Sequence, residues 1–246
     1  MPKLSRFLAI SIVAIAMGAG LIAVAGPASA ATLTPARLLQ ELDVRPESTS
    51  PAYNRDAFRH WVDTDGDGCD TRAEVLIAES ATPVRFSSGC TVSGGRWTSY
   101  YDGVTWTRAS DVDVDHFVPL QEAWQSGASR WTAAKRQAYA NDLRFAAGLV
   151  GVTDNLNSAK GGKDYAEWKP PAANAQCRYA HEWIQVKYRW DLSINNAEFS
   201  ALNAKVKACG STPIKVPPRG SATGQALAAM PSELVSGAEF RRSRIG

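Results

Sequence analysis

Histidine is scarce in this chain. Of 246 residues only His60, His116 and His181 carry imidazoles, which excludes a metal centre built mainly from histidine. The four cysteines, Cys69, Cys90, Cys177 and Cys209, include no CxxC pair, so the usual zinc-binding spacing is missing. A charge excess is missing too: 27 Lys and Arg face 24 Asp and Glu, so global charge does not announce a nucleic-acid binder. After residue 30 no apolar run is long enough to cross a bilayer, and no internal repeat occurs at any period.

What is present begins with an address. Lys3 and Arg6 precede an apolar run from Phe7 to Ala25, and Ala28-Ser29-Ala30 follows, the pattern of a secretory signal peptide with a small-residue cleavage site. A membrane anchor is the rival reading of the run. The expected organisation is a signal peptide over 1–30, one domain over 31–210, and a Pro-, Gly- and Ala-rich tail over 211–246 that is expected to be flexible. The mature protein is expected to be secreted, monomeric and without membrane insertion. Export makes disulfides the default. Three pairings of four cysteines exist, and Cys69 with Cys90 and Cys177 with Cys209 are favoured because each closes a local unit; a four-cysteine zinc site is the rival.

Residues 31–80 hold ten acids and five bases, and residues 130–170 hold four acids and seven bases, a polarity that could give the folded domain one positive face. Thr34-Pro35 opens a helix through "ARLLQEL". Asn54 caps a helix through "RDAFRHWV", and "EVLIAES" reads as another. Period-2 segments follow, with Asp102-Gly103 as the turn of an aromatic hairpin. "DVDVDHFVPL" alternates as a half-buried strand and stops at Pro119. The stretch to residue 145 reads as helix, break at Gly127, and helix capped by Ser129. A turn and short helix through "NSAKGG" and two long helices, around Cys177 and before Cys209, complete an α+β, mostly helical reading.

"DTDGDGCDTRAE" matches the twelve-residue calcium loop, in which oxygens come from positions 1, 3, 5, 7, 9 and 12 with Gly at 6. Asp63, Asp65 and Asp67 fill the first three, Gly68 the turn, Cys69 the backbone carbonyl, Thr71 the ninth place, and Glu74 the last. Structural Ca²⁺ and a plain acidic turn are the two readings: helical patterns flank the loop, but it has no second copy.

His60 and His181 sit within helical patterns and read as structural. His116 follows Asp115 at the end of a strand, where a near-neutral imidazole suits a general base and a carboxylate suits a hard divalent cation. "DVDHFVPL", followed by "VTDNLNSAKGGKD", resembles the HNH, or ββα-metal, nucleases. The upstream "CDTRAEVL" and "RWTSYYDGVTW" fit the secreted bacterial branch related to the C-terminal domain of GmrSD restriction endonucleases. The resemblance implies a ββα-metal motif within a disulfide-bonded domain that hydrolyses DNA, and RNA as a second substrate, with little sequence preference. It implies His116 as general base and Asp115 and Asn157 as ligands of Mg²⁺ or Mn²⁺, with Asn155 as the alternative to Asn157. The motif's final histidine is missing, which favours Mg²⁺ over a triple-histidine zinc site.

Arg72, Arg144, Lys160 and Lys163 are candidate phosphate contacts, each weighed against an ordinary surface or structural cation. Asp113 reads as a supporting residue one pleat away. Trp97, Tyr100, Tyr101 and Trp106 could stack on bases, although hairpin packing explains them more simply. The competing function is a calcium-stabilised extracellular binding module without catalysis. A toxin with a cognate inhibitor protein keeps the enzyme and changes its purpose.

Overall fold

A computed structural model describes residues 31–220; the expected signal peptide and the tail beyond residue 220 lie outside the described residues. Chain order is β1 (Thr32–Leu33), α1 (Pro35–Leu39), α2 (Thr71–Glu79), β2 (Arg85–Phe86), β3 (Val92–Thr98), β4 (Thr105–Arg108), β5 (Val112–His116), α3 (Leu120–Gln125) and α4 (Ala133–Ala140). Then come β6 (Leu149–Thr153), α5 (Asp154–Lys160), α6 (Gln176–Trp190), α7 (Asn196–Ala208) and β7 (Ile214–Lys215). The fold is thus mixed, with helices around three small antiparallel sheets among the described residues: β1-β7, β2-β3-β4 and β5-β6.

The ribbon β5-β6 lies between two apolar clusters. Val150 and Val152 of β6 enter the larger one, with Phe117, Tyr139, Tyr179, Trp183 and Trp190. Val112, Val114 and Leu149 enter the smaller one, with Leu76 of α2 and Trp97 of β3. Alternation along the strands makes this division, since successive side chains point to opposite faces. Trp183 and Trp190 are 0% and 1% exposed, and burying a ring of that size contributes roughly 4–6 kcal/mol. Both expected disulfides form, Cys69–Cys90 and Cys177–Cys209; the first ties the acidic loop to the turn before β3, and the second clips α6 to the end of α7.

Local signals hold at several elements. Thr34 caps α1 by accepting from Arg37 N at 3.2 Å, and Asn195 opens α7 with a reciprocal capping box to Glu198. Gly103 takes φ 77° in the β3-β4 turn, where a side chain would be strained.

Four readings need correction. The helix expected through "RDAFRHWV" is a single 3₁₀ turn, Arg55–Phe58, capped by Asn54; the chain then leaves through left-handed Arg59 and Trp61 (φ 48° and 60°). The cap of α4 is Thr132, accepting from Lys135 N at 3.2 Å, rather than Ser129. Val152-Thr153, expected to open a turn, instead ends the strand β6, "LVGVT", which pairs residue for residue with β5 from Val112↔Thr153 to His116↔Leu149. Residues 211–220, expected to begin a flexible tail, instead pair through β7 with β1, and Gly220 N donates to Arg189 O at 2.8 Å.

Candidate active site

The strands β5 and β6 run antiparallel and lead directly into α5, which packs on both. Because side chains alternate, Asp113 and Asp115 share the face of β5 that meets α5. Asn157 Nδ2 donates to Asp113 Oδ2 at 3.1 Å. One turn on, Lys160 Nζ donates to Asp115 Oδ2 at 2.5 Å and to His116 O at 3.1 Å. A two-residue step along the strand is thereby matched to a three-residue step along the helix. Tyr101 OH, delivered by the β3-β4 turn, also donates to Asp115 Oδ2, at 2.7 Å.

Asp115 and Lys160 are 4% and 0% exposed. Burial raises the Asp115 carboxyl and lowers the Lys160 ammonium, and each partner's charge opposes the other's shift. Their contact, completed by Tyr101, keeps a charge pair inside the protein. Asp113, Asp115 and the Asn157 amide carry hard oxygen donors of the kind a divalent ion takes, and Asp115 here accepts the Lys160 ammonium.

His116 ends β5. Its Nε2 lies 2.9 Å from Ala140 O at the C-terminus of α4, one of the carbonyls that a helix leaves without an internal partner. A carbonyl only accepts, so Nε2 carries the proton and Nδ1 the lone pair. Burial lowers the imidazole to about 3, partly opposed by the Ala140 carbonyl, so the ring is neutral at pH 7. Trp61 packs on it with centroids 5.0 Å apart, and His60 meets it edge-on at 6.1 Å.

The structure therefore brings Lys160 and Tyr101 onto Asp115 and Asn157 onto Asp113, while His116, the next residue along β5, turns to the other face of the strand, where Ala140 O, Trp61 and His60 surround its ring. Asn155 does not join them and is exposed. Lys160, a candidate phosphate contact in the sequence, is instead enclosed and bonded to Asp115, with its Nζ 6.0 Å from the Phe117 ring centroid. Arg72 donates to Ala109 O at 3.2 Å and Val112 O at 3.1 Å, tying α2 to the start of β5. Arg144 pairs with Asp142 at 3.9 Å, an acid that Arg189 already holds at 2.6 Å. Lys163 is exposed and its Nζ reaches Ala159 O at 2.5 Å. The hairpin aromatics turn inward: Trp97 donates to Leu76 O, Tyr100 to Glu182 and Trp106 to Thr153.

In the acidic loop, carboxylate oxygens of Asp63, Asp65 and Asp67 lie within 4.8 Å of one another, and Asp67 lies within the same reach of Glu74 and Cys69. Asp63 also accepts from Gly66 N and Gly68 N at 2.8 and 3.0 Å, and Asp67 from Cys69 N at 2.9 Å. Only the leaving helix, α2, is present beside the loop.

Sequence reasoning missed the partners of His116 and Asp115. The one local signal was "LVGVT" itself, a run bounded by Gly148 and Asp154 whose β-branched residues suit a buried strand.

Residues 76–203 match the family model for GmrSD restriction endonucleases, C-terminal domain. A protein of Arthroderma benhamiae named "Uncharacterized secreted protein" is 46% identical over 172 residues, covering 70% of this chain and 83% of the relative. The likeness is thus not confined to bacterial proteins. No solved structure matches the chain. Among the described residues, no helix is long and apolar enough to cross a membrane, and the relative's name agrees with the export expected from the first 30 residues.

Proposed function

Because the chain belongs to the family of GmrSD restriction endonuclease C-terminal domains, we propose that it is a secreted nuclease that hydrolyses phosphodiester bonds of DNA, and secondarily RNA, by the HNH (ββα-metal) mechanism. One observation carries this reading. His116 ends β5 with Nε2 fixed on Ala140 O, directly after Asp115 in the chain, whose carboxylate shares with Asp113 the face of the strand that meets α5 and its Asn157.

The chemistry follows from that placement. The neutral ring offers its Nδ1 lone pair to a water proton, and the resulting imidazolium is stabilised by the Ala140 carbonyl. Asp115 and Asn157 would hold Mg²⁺ or Mn²⁺, with Asp113 orienting the Asn157 amide. Bound there, such an ion supplies positive charge against the phosphate and the departing oxygen. Lys160 lies on the same carboxylate and balances its charge when no divalent ion is held. Asp63, Asp65, Asp67 and Glu74 enter the reading as a structural calcium loop, remote in role from the cutting.

The test uses residues 31–246 as purified protein. It should degrade plasmid DNA with Mg²⁺ or Mn²⁺ and stop in chelator, and His116→Ala should lose at least about 100-fold in rate while its melting temperature stays near that of the wild type. A folded His116→Ala that cleaves normally sinks the mechanism. A wild-type chain that cleaves neither DNA nor RNA favours the calcium-stabilised binding module instead.

A further inference from the structure

The segment between the 3₁₀ turn and the acidic loop is held in a shape that its residues do not prefer. Arg59 and Trp61 both take positive φ, 48° and 60°, a left-handed conformation that side chains other than glycine rarely adopt and that persists only where surroundings over-determine it. The surroundings here are specific. Asn141 Nδ2 donates to Arg59 O at 3.0 Å, and Asn141 Oδ1 accepts from Val62 N at 3.1 Å and from Thr71 Oγ1 at 2.8 Å. Thr71 closes the loop by donating its backbone N–H to Val62 O at 3.1 Å. Asn141 directly follows Ala140, whose carbonyl holds His116 Nε2. One short stretch of chain thus fixes both the imidazole's nitrogen and the strap that lays Trp61 across its ring.

We propose that Trp61 is a positioning residue for His116: the Arg59–Val62 strap, pinned by Asn141, keeps the indole on the imidazole so that the ring holds one orientation and one tautomer. This rests on the reading of His116 as the base. The indole sits 5.0 Å from the imidazole at an interplanar angle of 31°, which blocks rotation of the smaller ring out of line with Ala140 O. Ordinary core packing would not require two left-handed residues in three, flanking a histidine that also meets His116.

The experiment compares residues 31–246 with Trp61→Ala and Trp61→Phe, reading the side-chain ¹⁵N shifts of His116 and the steady-state cleavage of plasmid DNA. The wild type should show the Nε2–H tautomer alone. Trp61→Ala should show a mixed tautomer and a kcat at least about ten-fold lower, with KM within about two-fold, because an interaction needed only for the chemical step has been removed. Trp61→Phe, which keeps a flat ring there, should recover most of the rate and the single tautomer. A folded Trp61→Ala with one tautomer and full kcat overturns the proposal, as does a folded Trp61→Phe no better than Trp61→Ala. If Trp61→Ala does not fold, Asn141→Asp takes its place: it removes the donor to Arg59 O, and full kcat in that variant overturns the proposal equally. If the wild type cleaves no nucleic acid, the nuclease reading has failed, and the tautomer seen with and without the indole decides the positioning.

Discussion

Lys160 has no exposure to solvent, and its ammonium lies 2.5 Å from Asp115 Oδ2. Desolvation makes such a pair a poor source of net stability, yet breaking it is costly because one charge is left buried alone. Lys160→Met therefore leaves the Asp115 carboxylate with Tyr101 OH as its remaining charge-stabilising donor. The expected loss is about 3–5 kcal/mol, which for a domain of this size lowers the melting temperature by roughly 10 °C. Lys160→Met with Asp115→Asn removes both charges and should recover much of that loss in the same calorimetric scan. Equal melting of Lys160→Met and the wild type would mean that Asp115 is not charged in the fold. At this scale a residue's type says less than its neighbours do: Lys160 and Lys163 stand three apart in one glycine-rich stretch, yet one is enclosed and the other exposed.

The acidic loop is the element whose sequence and structure agree least. The spacing Asp63, Asp65, Asp67, Gly68, Glu74 matches the calcium pattern, but the entering helix is replaced by the Arg59–Val62 strap, and Asp63 and Asp67 already accept backbone N–H groups. Removing Asp65 tests the ion with little damage to those bonds. If calcium binds, millimolar Ca²⁺ raises the melting temperature of the wild type by a few degrees and leaves Asp65→Ala unmoved; affinity in the range of extracellular modules, about 10⁻⁴ to 10⁻³ M, sets that concentration. A wild type indifferent to calcium makes the loop a turn. Elements with local causes were legible in the sequence: the cap at Thr34, the Asp102-Gly103 turn and the alternation in β5. Those with distant causes were not. "LVGVT" becomes a strand because β5 pairs with it, and a short apolar run does not by itself distinguish strand from buried helix. "RHWV" leaves the helical path because Asn141, about 80 residues away, takes its backbone groups. Residues 211–220 look like linker by composition and are tied down by β1 and Arg189.

Across the whole molecule, α3, α6 and α7 meet at a buried polar knot. Lys187 Nζ donates to Glu122 and Glu198, to Ser126 Oγ at 2.7 Å and to Ser193 O at 2.9 Å, while Trp183 Nε1 also donates to Glu198. Two carboxyls and one ammonium leave one negative charge in excess among side chains buried from solvent. Burial raises Glu198 to about 7, against the opposing pull of Lys187 and with further lift from Glu122. Its folded value thus lies above the ordinary 4.5, so between those values the folded state binds more protons than the unfolded, and the stability owed to this site falls as pH rises through the window. Buried His116, whose imidazole is lowered, contributes with the opposite sign, so the raw pH profile mixes the two. A difference separates them. The melting temperature of the wild type minus that of Glu198→Gln, measured from pH 5 to pH 8, should decline by about 3–10 °C, the equivalent of roughly 1–3 kcal/mol, with most of the fall complete near pH 7. A difference that stays flat would mean that both carboxyls are ionised in the fold, with the Lys187 ammonium, Ser126 Oγ on Glu122 and Trp183 Nε1 on Glu198 carrying the whole charge.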